Sequence, residues 1–546
     1  MQAARQATGG QSSTGVRLGL AVVGALWLAL GLTGCPGPKT PPPGPAPGPS
    51  GATAGNPGTT AAGTTAPAID EVALRKCCTR CHRFPDPSLF PKSLWQDSIR
   101  KMYDYIGMKG RRLDGFLAEE VIAWYESKAP DRFDLRPPPG KDADSPLSFR
   151  KHSLSPPKAP ATPAIAHVRL EPRRVGKGLD AVVCDMRHKF ILQVRPDPAA
   201  PRFKLVHKGG HPCRTEPVDI DGDGLQDLLV ADLGSFNPGD HKQGGVTLLR
   251  AESSKSRKPW RLLSGVGRVA DVRAADVDGD GDQDVIVGVF GWHETGRLLW
   301  LEQRPGAWTP DRIPEFKRHE IDGRHGVLAC PTADFDGDGK PDLLVQHAQE
   351  LETVTLFKNL GGRFEARELD HGPHPAWGSN GLTLVDLDGD GDQDAIISNG
   401  DTLDDQWLKT FHGLRWLEND GRGGWTRREI GRLYSVHSPR AADLDGDGDL
   451  DIAATAWLPQ FSPKEDLKGF DMASLVWFEQ TSPGQFRVRV IERNACRHPT
   501  LDVGDIDGDG DLDLLVGNFT MAIGDWDRLD EWLQLWENTG RRSDGR

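Results

Sequence analysis

The chain has no excess of basic residues: its 66 Lys and Arg stand against 79 Asp and Glu, for a formal charge of −13. That balance argues against a protein that works by neutralising nucleic-acid phosphates. A second long apolar run is also missing, since beyond residues 18–32 no stretch approaches the roughly 20 residues of a membrane-spanning helix. There is no phosphate loop, nucleophile elbow or zinc-protease motif, so no motif assigns an enzyme class and catalytic residues stay unassigned. Turn formers, by contrast, are plentiful. The 64 Gly and 42 Pro in 546 residues exceed the usual shares of about 7 % and 5 %, which excludes a mainly helical protein.

Arg5 and Arg17 precede the apolar stretch, and no acid occurs before Cys35, the pattern of a secretory signal. Leu32-Thr33-Gly34-Cys35 resembles the lipobox of bacterial lipoproteins, which implies cleavage before Cys35 and lipidation of its sulfur; an ordinary signal peptide is the alternative. Pro36 follows rather than Asp, and the resemblance then implies an outer-membrane lipoprotein, periplasmic or cell-surface. Residues 1–34 are therefore expected to be a signal peptide and residues 35–68, rich in Pro, Gly, Ala and Thr, an extended tether. As a flexible coil that tether spans roughly 30 Å. A compact segment at residues 69–132 and a linker at 133–147 come next.

The remainder, residues 148–546, is repetitive. Strings of the form DxDGDGxxD begin at Asp219, Asp276, Asp334, Asp386, Asp443 and Asp505, spaced by 57, 58, 52, 57 and 62 residues. A period of 50–60 with short β-type segments predicts propeller blades of four strands. Each unit has a strand leading into the Asp string, an apolar strand leaving it, a third resembling LLWLEQ and a short mixed fourth such as FKRHEI. Residues 179–183 look like the second strand of a seventh unit whose Asp residues are lost, with KFILQVRP and FKLVHK as its third and fourth strands. The C-terminal unit lacks a fourth strand, and FRKHSL at residues 149–154 resembles FKRHEI closely enough to supply it. The expected fold is therefore mainly β: a seven-bladed propeller closed by its own N-terminal strand, preceded by a small all-α domain.

Within each string, carboxylates at positions 1, 3 and 5, a backbone carbonyl at 7 and a carboxylate at 9 can wrap one hard cation, and Gly at 6 permits the turn. The candidate ligands are Asp219, Asp221, Asp223, Leu225 and Asp227, then Asp276, Asp278, Asp280, Asp282 and Asp284. Asp334, Asp336, Asp338, Lys340 and Asp342 form the third set, and Asp386, Asp388, Asp390, Asp392 and Asp394 the fourth. Asp443, Asp445, Asp447, Asp449 and Asp451 make the fifth, and Asp505, Asp507, Asp509, Asp511 and Asp513 the sixth. All-oxygen ligation favours Ca²⁺ over zinc or copper. These units resemble the FG-GAP/VCBS repeats of integrin-α-type propellers over about 400 residues. The resemblance implies a propeller stabilised by about six Ca²⁺ ions, and no single activity.

Cys78-Thr79-Arg80-Cys81-His82 fits the attachment motif of c-type haem, with two thiols for thioether bonds and His82 as proximal ligand; zinc or a disulfide is the alternative. Helical signals follow at residues 93–105 and 116–128, with Leu94, Ile99 and Met102 on one face. The pattern Trp95-x-x-x-Ile99-x-x-Met102, followed by LAEEVIAWYESKAP, resembles small monohaem cytochromes c. That resemblance implies one covalent haem with a Met as distal ligand, Met102 or Met108.

The Asp strings join first and second strands, so the connections from second to third strand and between blades emerge at the opposite end. Eleven of 16 His fall there: His188, His211, His241, His293, His325, His347, His371, His374, His412, His437 and His498. Trp292, Trp377, Trp407, Trp457 and Trp526 share that face, as do Cys213, Cys330 and Cys496. His437, His498 and these three thiols are the metal candidates by nearness to the axis, while disulfides among Cys184, Cys213, Cys330 and Cys496 are an equal alternative. The repeated Trp300, Trp416 and Trp477 are expected to pack blades.

The leading expectation is an exported, lipid-anchored electron-transfer protein. Haem c would carry the electron, and the propeller would bind a redox partner protein, a small-molecule donor or a substrate. An oxidoreductase with its chemistry on the propeller face is the second, and an adhesion or surface-binding module the third. Removing residues 1–34 takes the charge to −15, and six Ca²⁺ would bring it to about −3 against the 28 Asp of the loops. The acid excess thus reads as a demand for cations inside the fold.

Overall fold

The apolar runs that leave the Asp strings become the second strand of each blade. Every residue of Asp227–Asp232, Asp284–Val289, Asp342–His347, Asp394–Asn399 and Asp451–Ala456 is buried. A strand sandwiched on both faces has no solvent side, which is why its sequence does not alternate. The computed structural model describes residues 69–80, 82–108, 115–133, 135, 139–403, 407–458, 471–495, 497–522 and 528–541. Cys35 and residues 1–68 as a whole, where the signal peptide and tether are expected, lie outside them. Among the described residues no helix is long and apolar enough to cross a membrane.

Among the described residues seven antiparallel sheets form, six of them running outward in chain order from their first strand and the last taking its outermost strand from the start of the propeller. The first strands stand side by side around a ring, and Thr500–Gly504 meets Ile165–Pro172 to close it. Among the described residues only the fourth blade departs from four strands, because its inner strand breaks into Val327–Ala329 and Thr332–Ala333 at Pro331, which has no N–H for the ladder. The last blade is completed by Leu147–Leu154, which pairs antiparallel with Leu533–Arg541 from Leu154 opposite Leu533 to Phe149 opposite Asn538. The closure expected from FRKHSL is therefore present, and it covers the edge that Leu533–Arg541 would otherwise expose.

The inner strands meet through buried charge. Asp271 is fully buried between Arg214 at 2.8 Å and Arg273 at 3.2 Å, and Arg440 pairs with Asp502 at 3.2 Å. Burial works to raise the Asp271 carboxyl, and the two guanidinium groups outweigh it and hold the acid ionised. Trp300, Trp416 and Trp477 are buried as expected. Trp300 abuts the turn of the next blade, where a Cβ on Gly362 would come within 3.0 Å of the indole.

Ahead of the propeller lie helices α1 (Glu71–Cys78), α2 (Lys92–Met108) and α3 (Ala118–Lys128). Asp70 caps α1 by accepting from the N–H groups of Val72 and Ala73. Trp95 of α2 packs on Tyr125 of α3 with ring centroids 4.0 Å apart. Leu74, Cys78, Phe90, Leu94, Ile99 and Val121 fill the cluster between them, and Ala376, Trp407 and Phe411 of the propeller pack against it. Residues 139–147 run along the sixth blade, with the Ser145 hydroxyl accepting from the Trp477 indole N–H at 3.0 Å.

Candidate functional site

The Asp loops gather at one end of the ring and fold alike. Glycines at positions 4 and 6 take positive φ, 68° at Gly222 and 81° at Gly224 in the first, a region costly to other residues. The position-1 carboxylate turns the loop inward: Asp219 accepts from the N–H groups of Asp223 (3.0 Å) and Gly224 (2.9 Å). Position 9 does something the spacing alone does not reveal. Asp227 accepts from Ile220 N–H at 3.3 Å and from Ala251 N–H at 2.6 Å, pinning the loop to the third strand. The same two contacts recur at Asp284, Asp342, Asp394, Asp451 and Asp513. Burial pushes these carboxyls up, to about 6 at Asp227, Asp284 and Asp394, about 7 at Asp513 and about 8 at Asp451.

The donor sets fit a hard cation. Carboxylate oxygens of Asp219, Asp221 and Asp227 lie within 4.8 Å of one another, as do those of Asp276, Asp278 and Asp280, of Asp334, Asp336 and Asp342, and of Asp386, Asp388 and Asp394. Asp282, Asp336 and Asp449 each keep a buried carboxylate oxygen with no hydrogen-bond partner. Such an oxygen is expensive unless a cation meets it.

The helical segment sets Cys78 and Met102 at one apolar cluster. Cys78 is buried at the end of α1, and Met102 of α2 packs against the same cluster. The Nδ1 of His82 lies 2.8 Å from the Arg83 carbonyl oxygen. A carbonyl only accepts, so Nδ1 carries the proton and Nε2 keeps its lone pair for a metal. This thiol, imidazole and thioether fit the donor chemistry of haem c. Cys81 and the Met108 side chain lie outside the described residues.

At the opposite end, most of the histidines have structural partners. His188 pairs with Asp185 at 3.1 Å and His498 with Glu492 at 2.8 Å, and His211 Nδ1 donates to the Met186 carbonyl at 2.8 Å. His437 Nδ1 donates to the Ser435 carbonyl at 2.9 Å, and burial lowers its imidazole to about 4. Cys184, Cys213 and Cys330 are free thiols; burial pushes Cys213 up to about 12, which makes it inert. Thus His437, His498 and Cys213 face partners of their own, while Cys496 and Trp526 lie outside the described residues. Trp377 stacks on Phe411 at 5.3 Å and Trp457 packs on Phe519 at 4.8 Å, so these indoles fill space.

Two features of this face were not legible in the sequence. The helical segment docks on it: Arg83 pairs with Glu368 at 3.0 Å, Phe90 meets His374 edge-on at 6.1 Å, and Tyr105 packs on His293 at 4.8 Å. Beside Tyr105, His293 and His325 converge on Glu350, at 3.3 Å and 3.0 Å. Burial works to raise the Glu350 carboxyl, and the two imidazoles outweigh it and hold it well below the usual range. The sequence names both histidines but gives no sign of Glu350.

A family model described as the FG-GAP-like repeat matches residues 219–287, 294–397 and 399–454, a span holding five of the six Asp loops. A comparison with curated proteins finds no match. Among solved structures the chain is similar to selenomethionine-substituted virginiamycin B lyase from Staphylococcus aureus, at 12 % identity and a TM-score of 0.41, over 71 % of this chain and 99 % of that one. The chain carries FG-GAP-like repeats on a seven-bladed propeller.

Proposed function

We propose that the chain is an exported, lipid-anchored electron-transfer protein, with one haem c held by residues 69–132 and a Ca²⁺-bound propeller that positions it. The observation that carries this reading is the His82 contact: Nδ1 is committed to the Arg83 carbonyl, which leaves Nε2 as the ring's ligand atom in the string Cys78-Thr79-Arg80-Cys81-His82. Cys78 and Cys81 would hold the group by thioether bonds, and Met102 or Met108 would complete the iron. Haem there would supply a one-electron carrier. The surrounding residues keep water out: Trp95, Phe90 and Tyr125 form an aromatic wall, and Trp95 donates its indole N–H to the Pro87 carbonyl at 2.9 Å. Lipidation at Cys35 would tie the chain to a membrane, with the redox partner meeting the exposed side of the helical segment.

The test is covalent haem in the denatured protein. Full-length chain matured by a c-type assembly system should retain haem absorbance after acid–acetone extraction, and a Cys78→Ala, Cys81→Ala variant should lose it. Retention by that variant, or no haem in the wild type, would sink the reading. A binding or adhesion module is the second reading, which FG-GAP-like repeats on a propeller also fit. It would show as a chain that captures a surface ligand and exchanges no electrons in a redox titration.

A further inference from the structure

The cluster His293, His325 and Glu350 is assembled from three separate loops. His293 stands between the second and third strands of the third blade, His325 between the third and fourth blades, and Glu350 between the second and third strands of the fourth. The Nε2 of His325 lies 3.0 Å from Glu350 Oε1, yet it is buried and makes no well-formed hydrogen bond. His293 Nδ1 lies 3.3 Å from the other oxygen, and all three ligand atoms fall within 4.8 Å of one another. Donors bound at about 2.0–2.1 Å to a tetrahedral ion stand about 3.4 Å apart, close to both contacts.

The loops are also held in place at a cost. Gln349 and Glu352, on either side of Glu350, take φ of 62° and 48°, a left-handed backbone that ordinary side chains avoid. Asp240 clamps the His293 loop by accepting from the N–H groups of His293 (3.1 Å), Glu294 (2.9 Å) and Thr295 (3.0 Å). Gly296 is required for the approach, since a Cβ there would lie 2.5 Å from the His325 Cα. Tyr105 of α2 covers the His293 ring.

We infer that His293, His325 and Glu350 bind a divalent transition ion, of the Zn²⁺ or Fe²⁺ class, in an open site at the seam between the helical segment and the propeller. Two imidazoles and one carboxylate suit such an ion and disfavour Ca²⁺, and three protein ligands leave a position for water or an exogenous ligand. The site is distinct from the Asp loops at the other end of the ring and stands whether or not haem is present.

The test uses the full chain, stripped of metal and saturated with Ca²⁺ so that the Asp loops are filled, then titrated with Co²⁺. One equivalent should bind with visible d–d absorption and be displaced by Zn²⁺, and X-ray absorption of the Zn²⁺ form should show two imidazole nitrogens. Glu350→Gln and His325→Asn should each weaken Co²⁺ by about 100-fold or more, beyond the loss expected from outer-shell changes. No Co²⁺ uptake by Ca²⁺-saturated wild type, an all-oxygen shell, or unchanged affinity in a folded variant would overturn the assignment. The wild-type titration and spectrum decide it even if a variant fails to fold.

Discussion

Arg250 on the third strand of the second blade pairs its guanidinium with Asp221, a candidate cation ligand. Lys358 does the same with Asp336 two blades on. The other four Asp-loop blades carry Glu302, Glu418, Glu479 and Glu537 at the matching position, before the residue whose N–H meets the ninth Asp. The two loops with a built-in cation are also the two with Leu225 or Lys340 in place of a fifth Asp. Each therefore presents a smaller negative charge to an incoming ion.

The first prediction is two classes of Ca²⁺ site. Calorimetric titration of stripped protein should resolve four tighter sites and two weaker by about tenfold, roughly 1.4 kcal/mol each. Lys358→Gln should move one site towards the tight class. Six indistinguishable sites, unchanged by that substitution, would contradict the charge argument.

Removing Ca²⁺ should destabilise the whole ring, since the loops tie first, second and third strands together. At free Ca²⁺ of 100 times Kd each site adds about 2.7 kcal/mol, so EGTA should lower Tm sharply in scanning calorimetry. An unchanged melting curve would count against metal in the loops.

Met102 packs against the cluster that buries Cys78. If its thioether is the distal ligand, Met102→Ala should lower the haem midpoint potential, as loss of a Met axial ligand does, while Met108→Ala leaves it unchanged. The reverse pattern would assign the ligand to Met108.

His374 sits in an aromatic box of Phe90, Trp377 and Phe411, and burial lowers its imidazole to about 3, with Lys409 adding to the effect. The folded state keeps the ring neutral while the unfolded chain protonates near 6.5, so the unfolded state binds the extra proton between those values. Stability should therefore fall as pH drops from about 6.5 towards 3, by up to about 1.4 kcal/mol per unit from this group. His374→Gln should flatten that dependence in denaturant titrations across the same window, and an unaltered slope would dismiss the assignment.

The blade count, the fold of the Asp loops and the closing strand were legible because each is written locally, in a nine-residue string or a strand of repeated grammar. What escaped was convergence. Glu350 meets His293 across 57 residues, one blade period, yet the residue type at that loop position changes from blade to blade, and Arg83 meets Glu368 across 285 with no periodic trace at all. The second duty of the ninth Asp was hidden for another reason: its backbone partners, such as Ala251 N–H, carry no residue preference. The histidines of the far face were found by topology, but only side-chain geometry separated the structural His437 and His374 from the convergent pair.

The closure of the last blade also sets an order of events. Leu147–Leu154 leaves the ribosome some 380 residues before its partner Leu533–Arg541. Until that partner arrives the ring has an open seam, and the long-range pairing that seals it is the slow kind. A ring that latches only when its last strand emerges stays open for most of its synthesis. An unlatched chain is the form that a secretion pore would require, so late closure is compatible with the proposed export.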